Sequence, residues 1–133
     1  MPPLNHAVLS ASSAYRWLEC PPSALATADI PDETTIYAQE GSAAHEMAEY
    51  KIRWHLGEKD LAPPNIGNFN AEEIDRYTDS YAYYATDKIE TIRKICPDTI
   101  VMVEQRLDFS NYVKDGFGTG DLVIVADDVL QVI

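Results

Sequence analysis

Basic residues are scarce in this chain. Ten lysines and arginines stand against 22 aspartates and glutamates, a formal net charge of −12 over 133 residues. That is the wrong sign for a protein that wraps nucleic acid, where a basic footprint is the usual signature. It leaves room for a metal–carboxylate site that meets DNA through bound cations and a local basic strip. It also keeps open an acidic, DNA-mimicking or regulatory role. No apolar run approaches membrane-spanning length, which excludes a transmembrane helix. The opening Met1-Pro-Pro-Leu-Asn-His6 has neither a basic n-region nor an apolar h-region, so no secretory signal is visible. Cysteine is limited to Cys20 and Cys96, far apart and outside any CxxC. Free thiols in a reducing cytoplasm are expected, with a single disulfide as the alternative. GxxxxGK[ST] and GxSxG are missing too, so neither a nucleotide loop nor a serine-hydrolase elbow is supported. There is no internal repeat and no low-complexity tract.

What remains is ordinary globular material: 46% apolar and 24% charged residues at a length that suits a single domain with one modest core. Ser10-Ala-Ser12-Ser13 precedes a short apolar-periodic run, Ala14 to Leu18, and serine there is a helix N-cap signal. Cys20-Pro21-Pro22 ends that helix, because proline cannot continue it. A further turn of helix is expected from Ser23 to Ala28, then a loop at Ile30 to Glu33. The first long helix is predicted from about Ile36 to His55, with Ala44, Met47, Ala48 and Ile52 on its apolar face and Gly57 as its stop. A second is predicted from about Ala71 to Ile95, capped at Asn70 or a neighbour and stopped by Pro97, with Ile74, Tyr77, Tyr81, Tyr84, Ile92 and Ile95 as its buried stripe. Beyond Pro97 the period changes to that of strands: Thr99 to Leu107, Phe117 to Ala126, and Val129 to Ile133. A tight turn at Asp127-Asp128 joins the last two runs, a hairpin signal without its usual glycine. The expected architecture is α+β, N-terminal helices followed by an antiparallel three-stranded meander, with an apolar edge left exposed at the third strand.

Three places carry candidate chemistry. His45 and Glu49 lie four residues apart on one helix face, where an imidazole and a carboxylate converge on one point and can bind a metal. On spacing alone, His45 is also an ordinary surface or core histidine. Gly41, one turn earlier, lets another backbone or a ligand approach closely. Asp121 follows Gly118-Thr-Gly120 and opens a strongly apolar strand, where a carboxylate costs free energy unless it is paired or bound to a cation. It is either such a ligand or a turn aspartate satisfied by local amides. Glu104 interrupts an apolar strand, on the face shared by Ile100 and Met102, and either pairs with Arg106 or points into the same site as Asp121. The tyrosines Tyr77, Tyr81, Tyr83 and Tyr84 offer faces for stacking bases, but their spacing reads as core packing for all but Tyr83.

Taken together these residues resemble a family. Gly41-x-x-x-His45-x-x-x-Glu49 on a helix, then a strand with Glu104, then Gly118-x-Gly-Asp121 opening the next strand, is similar to the RecB-like branch of the PD-(D/E)XK nucleases. Ser12-Ser13-Ala-Tyr-Arg-Trp-Leu-Glu-Cys20-Pro21 resembles the Ser…Cys-Pro opening of AddB-like and CRISPR-associated members, and the closest likeness is to phage-type RecB-like exonucleases. The resemblance covers Ser10 to Ile133, and the order and spacing of its short motifs give it specificity. It implies the core of a restriction-endonuclease-like fold, incomplete over these residues. It implies His45 and Asp121 as metal ligands, with Glu49 as a further ligand and Glu104 as a catalytic carboxylate. It also implies Mg²⁺ or Mn²⁺ as cofactor and DNA as partner. The family's next motif, (D/E)xK on the third strand, supplies a lysine that helps activate water, and Val129 to Ile133 resembles its lead-in. The three later cysteines of iron–sulfur relatives are absent, so a buried thiol is expected at Cys20.

The expected function is therefore metal-dependent, exonucleolytic hydrolysis of DNA. The chain alone is expected to be inactive because the (D/E)xK motif is missing. The alternative is a catalytically dead regulatory or inhibitory binding protein on the same scaffold, acidic enough to compete with DNA. Self-association through the exposed sheet edge is a further expected partnership, and no membrane is.

Overall fold

Thr35 and Asn70 start the two long helices. The Thr35 hydroxyl accepts a hydrogen bond from the Ala38 amide at 3.1 Å, and the Asn70 side chain accepts from the Glu72 and Glu73 amides at 3.1 and 3.3 Å. Each cap satisfies backbone donors that have no partner within their own helix. In the computed structural model, residues 7–31 and 33–133 are described. The Met1-to-His6 stretch behind the signal-peptide reading lies outside the described residues, as does Asp32 in the Ile30-to-Glu33 loop. A 3₁₀ turn at Ala11–Ser13 is followed by α1 (Ala14–Glu19), α2 (Ser23–Ala26), α3 (Ile36–His55) and α4 (Ala71–Ile95), then β1 (Ile100–Asp108), β2 (Phe117–Ala126) and β3 (Val129–Val132). The strands form one antiparallel sheet in the order β1-β2-β3, so the protein is α+β. In the last hairpin Ala126 pairs with Val129 and Val123 with Val132.

Sequence signals placed the helix ends well because the ends are local. Beyond His55, Gly57 at φ +106° lets its own amide reach the Trp54 carbonyl and the Glu58 amide reach the Arg53 carbonyl, at 3.2 and 3.0 Å. This is the Schellman arrangement that left-handed glycine permits. In α4, Glu72 and Glu73 occupy the first turn and Arg93 and Lys94 the last, each sign at the end of the helix dipole that favours it. The serine signal at the chain start falls on the 3₁₀ turn: Ser10 accepts from the Ser13 amide at 3.3 Å, while Ser13, preceding α1, makes no capping bond.

The chain divides into two compact units, Met1–Glu33 with Gln105–Gly120 and Thr34–Glu104 with Asp121–Ile133. In the first, the Trp17 indole donates to the Ser10 carbonyl at 2.9 Å, and the Arg106 guanidinium lies 3.8 Å from the Phe117 ring centroid. Gly116 is required there: a Cβ would meet the Val113 carbonyl at 2.7 Å and the Phe109 ring at 2.8 Å. In the second unit, Ile52 of α3, Ala85 and Ile89 of α4, and Leu122 and Ile124 of β2 form the core, with Tyr81, Val101 and Val103 packed against it.

The buried stripe of α4 departs from expectation. Ile74, Thr78, Ala85 and Ile89 are buried, with Tyr81 and Ile92 half-buried, whereas Tyr77, Tyr84 and Ile95 are exposed. A step of one residue turns a side chain by about 100° around a helix, so Tyr77 and Tyr84 flank the stripe. Small residues occupy its centre, and the Thr78 hydroxyl is satisfied by the Ile74 carbonyl at 2.7 Å. Arg76 and Lys88 cover the displaced Tyr77 and Tyr84 rings at 4.9 and 5.6 Å. Both cysteines are free, and Cys20 is exposed rather than buried, because the proline turn after α1 carries it outward. Val129, Leu130 and Val132 on β3 are each more than half exposed. No helix among the described residues is long and apolar enough to cross a membrane.

Candidate functional site

Three elements of the second unit bring His45, Glu104 and Asp121 together. His45 stands on α3 one turn before the buried Ala48 and two before Ile52, on the face that meets the core, with its side chain partly exposed. Asp121 opens the run Leu122-Val123-Ile124, whose three side chains are at most 1% exposed. Asp121 lies inside β2 rather than at its start, and beside those buried residues its carboxylate stays half exposed.

Glu104 reaches the site by a less regular route. Strict alternation would place it with Ile100 and Met102, on the face opposite Val101 and Val103, which pack on the core. Its φ of +53° breaks that alternation, and the consecutive residues Val103 and Glu104 line the same cavity. A left-handed non-glycine residue inside a strand carries the conformation of a bulge, a device that re-aims a side chain beside functional sites. Of the two readings open for Glu104, the structure takes the one that joins it to Asp121. Arg106 stacks on Phe117 instead.

The His45 ring sits between the two carboxylates. Its Nε2 is hydrogen-bonded to Glu104 Oε1, and its Nδ1 lies 3.7 Å from Asp121 Oδ2. One imidazole nitrogen and one oxygen from each carboxylate all fall within 4.8 Å of one another. Among the described residues no lysine or arginine pairs with either carboxylate, so His45 is their one partner in reach. Two carboxylates with one imidazole suit a small divalent cation, and the imidazole shifts preference from Mg²⁺ toward Mn²⁺.

The converging group holds Glu104 where the expected ligand set had Glu49. Glu49 shares the His45 face of α3 and lines the same cavity, but its carboxylate accepts from Arg53 Nε at 2.7 Å and lies outside the converging group. That hydrogen bond, partly opposed by burial, raises the Arg53 pKa further above its ordinary value. Arg53 also donates to the Val103 carbonyl at 3.1 Å, tying α3 to the strand just before Glu104. The Glu-to-Arg spacing of four was legible as a helical ion pair, but only the fold makes it a competitor for Glu49. At Gly41 no other backbone makes the close approach: among the described residues outside its own helix turn, a Cβ there would meet no atom within 4 Å. The space is an open groove shared with His45 and Glu46.

Tyr81 is the residue whose place at the site its sequence position concealed. It projects from α4 into the cavity lined by His45, Glu49, Val103, Glu104 and Asp121. Its hydroxyl is buried and has no hydrogen-bond partner among the described residues. Burial, then the negative charges of Asp121 and Glu104, push its pKa above the ordinary tyrosine value, so it stays a neutral O–H.

No solved structure matches the chain. A family described as "Protein of unknown function (DUF2800)" matches residues 6–133, and the chain belongs to that family.

Proposed function

We propose that this chain carries the metal-binding core of a DNA nuclease of the RecB-like PD-(D/E)XK type, built on a restriction-endonuclease-like arrangement of helix and strands. His45, Glu104 and Asp121 hold a divalent cation, Mn²⁺ or Mg²⁺, and DNA is the substrate. The observation that carries the reading is the convergence of one potential ligand atom from each of three separate elements, within 4.8 Å, two of them (His45 and Asp121) at the ligand positions that the family resemblance implies and the third, Glu104, at its catalytic carboxylate. A cation there supplies a Lewis acid that orients water and offsets charge on a phosphodiester in hydrolysis. The residues themselves do the rest: the Asp121 strand is anchored by its buried neighbours, and the Glu104 backbone is turned to face it.

Because no basic side chain among the described residues stands beside the carboxylates, metal binding is the primary readout and DNA hydrolysis the secondary one. Calorimetric titration of Mn²⁺ into the chain should give one site. Asp121→Asn and His45→Ala should each weaken it about tenfold or more, as ligand-shell losses do. Absence of Mn²⁺ binding up to millimolar concentration would sink the reading.

The net charge of −12 favours a second reading, an acidic binding protein that competes with DNA for a partner's groove. It requires a stable protein complex, displaced by DNA and indifferent to Asp121→Asn.

A further inference from the structure

The Tyr81 hydroxyl is a donor with nowhere to donate. It is shielded from solvent, unpartnered among the described residues, and faces the cavity that Glu104, Asp121 and His45 line. Buried polar groups are almost always hydrogen-bonded, so an orphan at a candidate site calls for a missing acceptor. Neither carboxylate is that acceptor as the side chains stand, since no hydrogen bond joins the Tyr81 hydroxyl to Glu104 or to Asp121. The free space in this partly open cavity is about 10 Å³, which is room for a single water-sized group. A water in such a space can bridge polar groups that make no direct hydrogen bond.

Resting on the metal-site reading above, we propose that Tyr81 donates a hydrogen bond to a water ligand of the cation held by His45, Glu104 and Asp121. The hydroxyl completes the polar wall of the cavity on the α4 side and orients that water by directing one of its lone pairs. Nothing in the core requires the oxygen. The ring already packs against the core cluster, and phenylalanine would fill the same volume.

The test is Tyr81→Phe in the full chain, read by thermal melting without metal, by Mn²⁺ calorimetry, and by terbium emission excited through tyrosine. Removing an unsatisfied hydroxyl should leave the metal-free melting temperature unchanged or slightly raised. Mn²⁺ affinity should fall roughly three- to tenfold, the worth of one hydrogen bond converted to a binding ratio. Tyrosine-sensitised Tb³⁺ emission should drop with it. A variant that binds Mn²⁺ as tightly as the parent chain overturns the proposal. So does one that melts lower and binds equally, because the hydroxyl then serves a structural water. If the parent chain binds neither Mn²⁺ nor Tb³⁺, the metal site itself fails and Tyr81 fails with it. A failure confined to Tyr81→Phe leaves the metal site standing.

Discussion

Lys51 shows how one side chain joins the two long helices. From α3 its ammonium donates to Asp79 at 2.6 Å, Thr78 at 2.8 Å and Asp75 at 3.0 Å, all on α4, while remaining only 19% exposed. Burial alone would lower its pKa, but the hydrogen bonds and charges of Asp79 and Asp75 outweigh burial and raise it above 10.5. A raised folded pKa means that the stabilisation is fully present below the unfolded value. It is lost as pH rises through the folded one. Tyr81 acts in the same direction for its own reason, burial first. Lys51→Met should therefore cost roughly 1 kcal/mol at neutral pH, a modest figure because both aspartates are more than half exposed. Denaturant unfolding from neutral to strongly alkaline pH checks the sign: the parent chain should lose stability above the ordinary lysine range, and the variant should lose less.

At the scale of the element, two left-handed residues shape the sheet. Asp127 at φ +50° opens the β2–β3 turn, where the sequence lacks the expected glycine, and Glu104 at φ +53° breaks β1 toward the site. Left-handed backbone costs an L-residue about 1–2 kcal/mol, less for aspartate and nothing steric for glycine. Asp127→Gly should accordingly stabilise the hairpin by about 0.5–1 kcal/mol in denaturant unfolding, and Asp127→Val should destabilise it. At Glu104 the usual strand order of alanine above glycine should reverse, with Glu104→Gly more stable than Glu104→Ala by about 1 kcal/mol when metal is absent. If alanine remains the better residue, the Glu104 backbone is not held in this conformation in solution.

Over the whole molecule the formal charge of −12 opposes the compact state by self-repulsion, and part of that charge is concentrated at the site. Monovalent salt should raise the melting temperature by screening. Mn²⁺ should raise it further than monovalent salt of equal ionic strength, because a ligand that binds only the folded state stabilises it by mass action. His45→Ala should keep the salt response and lose the Mn²⁺ excess. Equal responses in the two chains would assign the metal effect to general screening.

Local physics made much of this legible from sequence. Caps, stops and periodicity placed α3, α4 and the three strands, because Asn70, Gly57 and Pro97 act on the few residues beside them. The pattern from Gly41 to Asp121 also pointed to His45 and Asp121 as members of one site. What the sequence could not settle was which neighbours compete. The side that α4 presents to the core was set by close packing, which chose Thr78 and Ala85 over Tyr77 and Tyr84. Glu104 replaces Glu49 beside His45 because a left-handed backbone turns one carboxylate inward while Arg53 takes the other. Composition and short-range spacing determine elements and candidate ligands; only the tertiary structure decides which donor meets which acceptor, because that depends on contacts between residues as far apart as 45 and 104.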